Sequence, residues 1–180
     1  MSDVQDTQPK VPARLAKLLA ATVVRTADGH PLRVFHGTNG AFVRYRTAPV
    51  HTLDKRRLGA YFTASERFAR CYGAVVREVY LDIRRPLDLR GKAAADVIAE
   101  LPVSDRAKAE LCSAFKGLDY CHYGLLEALP QVSLRKALED SGYDGVIYTE
   151  GHADAYIAFE ARQIIPVPKR KSALEVDLST

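Results

Sequence analysis

The triplet His36-Gly37-Thr38 closes a short apolar run, Leu32-Arg33-Val34-Phe35. A strand built on Leu32, Val34 and Phe35 would present His36 at its end, where scaffolds hold functional side chains, and Gly37 would let a ligand approach the backbone with no Cβ in the way. An imidazole placed there can donate or accept a hydrogen bond. Farther on, Tyr61 stands in Gly59-Ala60-Tyr61-Phe62-Thr63 and Tyr72 in Ala69-Arg70-Cys71-Tyr72, eleven residues apart across a strand-to-helix turn. Each residue alone has a plainer reading: a histidine satisfied within the core, tyrosines that merely pack it.

The elements that must position these residues can be read from periodicity and turn chemistry. From Pro12, the apolar residues Leu15, Leu18, Leu19 and Val23 recur at helical spacing, and Asp28-Gly29-His30-Pro31 ends that segment as a turn. Asn39-Gly40 is a second turn, before an extended segment over Ala41 to Tyr45. The basic, aperiodic span Arg46 to Leu58 is a loop suited to a substrate lid or a plain connection. Thr63 or Ser65 can cap a helix carrying Phe68, Ala69 and Tyr72 on one face, and Val75 to Ile83 alternates as a half-buried strand ended by Arg84-Arg85-Pro86. Residues 92–141 read as three or four helices, one of them capped by Ser104 and the last ended by Gly142. Strands over Gly145 to Tyr148 and Ala155 to Phe159 follow, joined by a turn at Glu150-Gly151-His152. This order predicts an α+β fold with mixed and antiparallel pairing. Residues 1–10 are expected to be disordered, 11–168 to form a single domain, and 169–180 to be a loose basic tail.

At 180 residues the chain can bury a core without disulfides or metals, and 47% apolar with 27% charged residues is ordinary for a soluble protein. No apolar run is long enough to span a bilayer, and Met1 to Lys10 lacks the apolar core of a signal peptide. Cys71, Cys112 and Cys121 are odd in number and lack metal-ligand spacing, and nothing near Cys121-His122 completes a zinc set. Reduced cytosolic thiols and no metal are therefore expected. A net charge of +4 and a pI near 9.0 are compatible with an acidic partner without requiring one.

Four fragments stand in order: His36-Gly37-Thr38, Gly59-Ala60-Tyr61-Phe62, Ala69-Arg70-Cys71-Tyr72, and Tyr156-Ile157-Ala158-Phe159-Glu160 with Gln163-Ile164. Together they resemble the ADP-ribosyltransferase superfamily, in its His-Tyr-Glu branch with the poly(ADP-ribose) polymerases and diphtheria toxin. Asp28-Gly29-His30-Pro31-Leu32, Leu81-Asp82-Ile83 with Pro86-Leu87, and Gly142-Tyr143-Asp144-Gly145-Val146-Ile147 look most like bacterial and phage members found in polyvalent proteins and toxins. The resemblance covers about residues 23–167 and implies split mixed and antiparallel sheets with flanking helices and a helical insertion at about 92–141. It implies NAD as co-substrate, with His36 on the adenosine ribose, the Gly37 backbone on the nicotinamide amide, and Thr38, Gly59 and Phe62 lining the site. Tyr61 and Tyr72 would then hold the two faces of the nicotinamide. Ala69 stands where many eukaryotic members carry a serine that bonds the amide.

The family's catalytic glutamate immediately precedes the Tyr-aliphatic-aliphatic-aromatic strand, and here that position is Ala155. Alanine can neither bond a ribose hydroxyl nor stabilise positive charge on the sugar. Asp154 has the opposite strand parity and would serve only through a bulge, Glu160 shares that parity, and Glu150 would reach in only by folding of its turn. Three explanations stand: a Glu→Ala change that inactivates the chain, a natural pseudoenzyme, or an enzyme that uses Asp154 or no carboxylate. The implied activity is transfer of single ADP-ribose units to a protein or nucleic acid, of toxin or effector type, with this chain expected to bind NAD but to be nearly inactive as written because Ala155 holds the catalytic position. The alternative is a silent NAD-binding or protein-interaction module. Acceptor contacts are expected in the Arg44 to Arg57 loop. A cognate immunity protein or antitoxin is a possible partner, a membrane is not, and the location is the cytoplasm of the producing or a target cell.

Overall fold

The structure, a computed structural model, describes residues 11–40, 45, 47, 58–117 and 123–168. The expected disordered N-terminus and basic tail lie outside these residues. So do most of the extended segment at 41–45 and of the basic loop at 46–58. Among the described residues seven strands form one mixed sheet: β1 (Val34–Thr38), β2 (Ala60–Thr63), β3 (Val75–Leu81), β4 (Pro86–Asp88), β5 (Gly145–Glu150), β6 (Ala153–Ala158) and β7 (Ile164–Pro166). Their spatial order is β4-β5-β6-β2-β1-β3-β7, antiparallel throughout except for the β4–β5 pair.

The expected split lies between β2 and β1. These strands share one residue pair, Phe35 with Thr63, whereas β1 and β3 pair along the whole of Val34–Thr38. Past Phe35 the β1–β2 ladder stops and the two half-sheets diverge. The strands on either side are regular. Gly151, at φ +62°, turns β5 into β6, a conformation that costs glycine little. The hairpin then sets Tyr148 opposite Ala155, Thr149 opposite Asp154 and Glu150 opposite Ala153.

Apolar residues of the two strand parities build two cores. On one face Leu58, Val146, Tyr148, Ala155, Ile157 and Phe159 pack beneath the expected helical insertion. That insertion comprises α3 (Ala94–Glu100), α4 (Asp105–Ala114), α5 (Gly124–Glu127) and α6 (Gln131–Asp140), labelled to follow α1 (Ala13–Leu18) and α2 (Glu66–Ala69). On the other face Val24, Val34, Phe62, Val79, Ile83 and Tyr156 form the second core. The expected caps are in place: the Ser65 hydroxyl accepts from the Phe68 N–H at the start of α2, and Ser104 accepts from Ala107 at the start of α4.

Two expectations are corrected. Helix α1 stops at Leu18, so Val23 is not part of it; the Val23 N–H instead donates to the Ile83 carbonyl, tying the segment to the end of β3. Strand β3 is not half-buried along its length, because Val79, Tyr80 and Leu81 are all buried, with β7 and β1 on its two sides.

Candidate active site

A cleft of about 610 Å³ opens where β1 and β2 part. His36 stands at the point of separation. Its Nδ1 lies 2.8 Å from the Tyr61 carbonyl, and because a carbonyl only accepts, Nδ1 carries the proton. A side-chain bond thus replaces the ladder bond that divergence removes. The imidazole is fixed further by Phe62 and Tyr45, whose ring centroids lie 5.5 and 5.4 Å away.

Close backbone approach sets the wall opposite β2. A Cβ on Gly37 would stand 1.8 Å from the Ala69 carbonyl oxygen, and one on Gly73 would stand 2.2 Å from the Thr38 carbonyl carbon. The two glycines therefore let the end of α2 and the 3-10 turn Arg70–Tyr72 lie directly against β1. Gly37 lines the cleft with its backbone, and its missing side chain is also demanded by Ala69. Tyr72, 55% exposed, overhangs the opening and packs edge-on against Phe68. Gly59 is explained by packing of the same kind, since a Cβ there would meet the Ala158 carbonyl oxygen at 2.3 Å.

The wall on the other side is built from hydroxyls. The Leu58 N–H donates to the Tyr61 hydroxyl, which meets the Tyr123 hydroxyl, and Tyr123 in turn donates to Gln131 Oε1. The Gln131 amide spends its protons on the Leu126 and Leu129 carbonyls, so Gln131 Oε1 can only accept. Tyr61 accordingly donates to Tyr123, and the relay runs in one direction from β2 into the helical insertion. Tyr123 stacks on Tyr148 with centroids 5.0 Å apart and planes at 28°. Burial, reinforced by Tyr61, pushes the Tyr123 phenol far above its usual range; burial with Glu150 does the same for Tyr148.

All eight residues expected to bind NAD line this cleft: His36, Gly37, Thr38, Gly59, Tyr61, Phe62, Ala69 and Tyr72. Ala155, the position expected to carry the catalytic carboxylate, does not. It is 1% exposed and packed in the core between Thr63 and Tyr148, its partners on β2 and β5. Asp154 points away, in an ion pair of 2.6 Å with Arg90, which also holds Asp88. Glu160 caps the 3-10 turn Ala161–Gln163 and pairs with Arg162.

The sequence places Glu150 in the turn, from which it would reach in only by folding of that turn. It is not a turn residue but the last residue of β5, and it lines the cleft. Its Oε1 accepts from the Tyr72 hydroxyl at 2.7 Å and its Oε2 from Tyr148 at 3.3 Å. Burial and the hydrogen bond to Glu150 push the Tyr72 phenol up to about 12, so it remains a donor at neutral pH. Tyr123 and Tyr148 were missed. The alternation Val146, Tyr148, Glu150 was the available signal, once continued across the Gly151 turn.

Among the described residues no group of side chains could hold a metal ion, and no helix is long and apolar enough to cross a membrane. No curated protein sequence matches the chain. A solved structure described as an anti-CRISPR protein aligns with 75% of this chain and 94% of its own, at 15% identity and a TM-score of 0.43. The model of a protein family described as "ADP-Ribosyltransferase in polyvalent proteins" matches residues 26–173, the span that contains both walls of the cleft, and the chain belongs to that family.

Proposed function

We propose that the chain is a mono-ADP-ribosyltransferase that cleaves NAD at the bond between nicotinamide and ribose and passes the ADP-ribosyl group to a macromolecular acceptor. The observation that carries this reading is the convergence of His36, Tyr61 and Tyr72 on one cleft from three separate elements. Family membership makes NAD the expected co-substrate.

Each contact has a task in this reading. Fixed by the Tyr61 carbonyl, His36 offers its Nε2 side to the ribose of the adenosine half. The Gly37 backbone meets the nicotinamide carboxamide. Tyr61, held rigid by its hydroxyl relay, and Tyr72 take the two faces of the pyridinium, whose positive charge favours aromatic faces. Holding the leaving ring and the sugar in one geometry supplies orientation. The acceptor is a protein side chain or a nucleic acid, bound near the mouth of the cleft. Producer or target cytoplasm is the proposed site of action, with a cognate immunity protein or antitoxin as partner.

Ala155 favours a second reading, a silent NAD-binding module, because loss of one electrostatic group at a reacting centre slows a reaction by about 10²–10³-fold. Nicotinamide release and transfer of labelled ADP-ribose to a cell lysate test the two. Release with transfer supports the transferase. Thermal stabilisation by NAD without release supports the module, since a ligand that binds only the folded chain raises its apparent stability. No stabilisation and no release would overturn both.

A further inference from the structure

We infer that Glu150 is the carboxylate of the reacting centre, doing from the end of β5 what position 155 cannot do from β6. The inference rests on the NAD-cleaving reading of the cleft and deepens it.

Position 155 is an unsuitable place for a charge in this chain. Its neighbours across the sheet are Thr63 and Tyr148, and Leu58, Ile157 and Phe159 belong to the same core. A carboxylate there would be taken out of water among apolar groups, which is costly unless it is paired. Glu150 has the same strand parity as Tyr148 and so faces the same side of the sheet as position 155. It is the diagonal neighbour of 155 across the hairpin, about 7–8 Å away between backbones in a regular antiparallel pair. A glutamate side chain can span much of that gap toward the cleft. The change exchanges a buried site for one at the cleft wall while keeping the charge on the same face.

Its carboxylate is also aimed. Tyr72 and Tyr148 each donate to a different oxygen, one from the 3-10 turn and one from within β5. Two donors leave the remaining lone pairs of the carboxylate for a ribose hydroxyl. The Tyr72 bond places Glu150 beside a ring that holds one face of the nicotinamide in the proposed complex. Glu127, the other carboxylate that lines the cleft, is exposed at the end of α5, beyond Tyr123. Asp154 is committed to Arg90.

The chemistry balances without a further reagent. The bond between ribose C1′ and the pyridinium nitrogen breaks, its electron pair stays on nitrogen, and nicotinamide leaves neutral. The positive charge passes to the ribosyl oxocarbenium, where the Glu150 carboxylate stabilises it. A lone pair of the acceptor, or of water, forms the new bond to C1′, and the acceptor proton passes to Glu150 and then to solvent.

The experiment compares the unaltered chain with Glu150→Gln, Glu150→Asp, Glu127→Gln and Ala155→Glu, measuring nicotinamide release and thermal stabilisation by NAD. Glutamine can accept from the Tyr72 hydroxyl at its one carbonyl oxygen and donate its amide to the Tyr148 hydroxyl, so Glu150→Gln should keep the NAD-dependent rise in melting temperature and lose about 10²–10³-fold in rate. Glu150→Asp should recover part of that loss. The assignment is overturned if Glu150→Gln turns over NAD like the unaltered chain. It is equally overturned if Glu127→Gln alone abolishes release, or if the unaltered chain binds NAD without release and Ala155→Glu restores it. Those three results leave the NAD reading standing. Absence of both stabilisation and release in the unaltered chain would remove that reading and the assignment together.

Discussion

One wall of the cleft, β1 against the Arg70–Tyr72 turn, is fixed by backbone contacts that admit no side chain at Gly37 or Gly73. The other, β2 and β5 against the helical insertion, is fixed by hydroxyls: Tyr61 to Tyr123 to Gln131, and Tyr148 to Glu150. The first arrangement is steric. It fixes the backbone of β1 at His36 against the turn that carries Tyr72. The second depends on directed hydrogen bonds, and under the proposal made above it also carries the carboxylate, at Glu150 on β5 instead of at position 155 on β6. On this account the ligand-positioning wall is set by backbone packing, and the wall that carries the charge by side-chain hydrogen bonds.

Overfilling the steric wall should have the largest effect. Gly37→Ala drives a methyl into the Ala69 carbonyl, a backbone atom that cannot swing aside, and should cost about 3 kcal/mol or more. For a chain of this size that is a fall in Tm of about 2–4 °C for each kcal/mol, readable by calorimetry. Loss of NAD stabilisation in any protein that remains folded should accompany it. A Gly37→Ala chain of unchanged Tm would show that the wall yields and that the comparison is wrong.

Tyr123→Phe tests the hydroxyl wall. It keeps the ring stacked on Tyr148 but removes the hydroxyl that meets Tyr61 and that donates to Gln131 Oε1. A cost of about 1–3 kcal/mol follows from the loss of these bonds between partly buried polar groups. The KM for NAD should rise more than kcat falls, since Tyr61 loses orientation while Glu150 keeps both its donors. A fall in kcat at constant KM would mean that Tyr123 acts on the reaction rather than on the position of Tyr61.

Alkaline titration should give the smallest effect and sharpens the contrast further. The Tyr72 phenol is pushed up from 10.0 to about 12 by burial and by Glu150. Tyr156, in the second core, is pushed up to about 12 by burial and by Asp154. In each case the folded chain holds a proton that the unfolded chain releases near pH 10. Their contribution is therefore complete below about pH 10 and is lost as pH rises through 12. Denaturant midpoints taken between pH 9 and 12 should fall with pH, and Tyr72→Phe should make the fall shallower. A slope unchanged in Tyr72→Phe would detach Tyr72 from Glu150.

The same contrast explains what the sequence made legible. Tyr61 and Tyr72 lie on a strand, turn and helix passage whose local patterning and Ser65 cap fix the geometry, His36-Gly37-Thr38 lies on a separate strand, and the order of these motifs marked the site. The helical insertion was visible from its periodicity and from Ser104. Glu150 was not, because its position depends on where the β5–β6 hairpin turns. Read as part of a three-residue turn it faces nowhere in particular; as the end of a six-residue strand paired to Ala153 it faces the cleft. Tyr123 was hidden for a related reason, since its contact with Tyr61 joins residues 62 positions apart. The end of α1 was misjudged because the Val23 amide prefers a bond to the Ile83 carbonyl, a tertiary contact that outweighs helical spacing.

The most direct measurement is a crystal structure of the Glu150→Gln chain with NAD. The account predicts the nicotinamide ring between Tyr61 and Tyr72, its ribose within hydrogen-bond distance of residue 150, and the adenosine ribose at His36. A nicotinamide bound with its ribose turned toward position 155 or Glu127, or NAD seated outside the cleft, would contradict it.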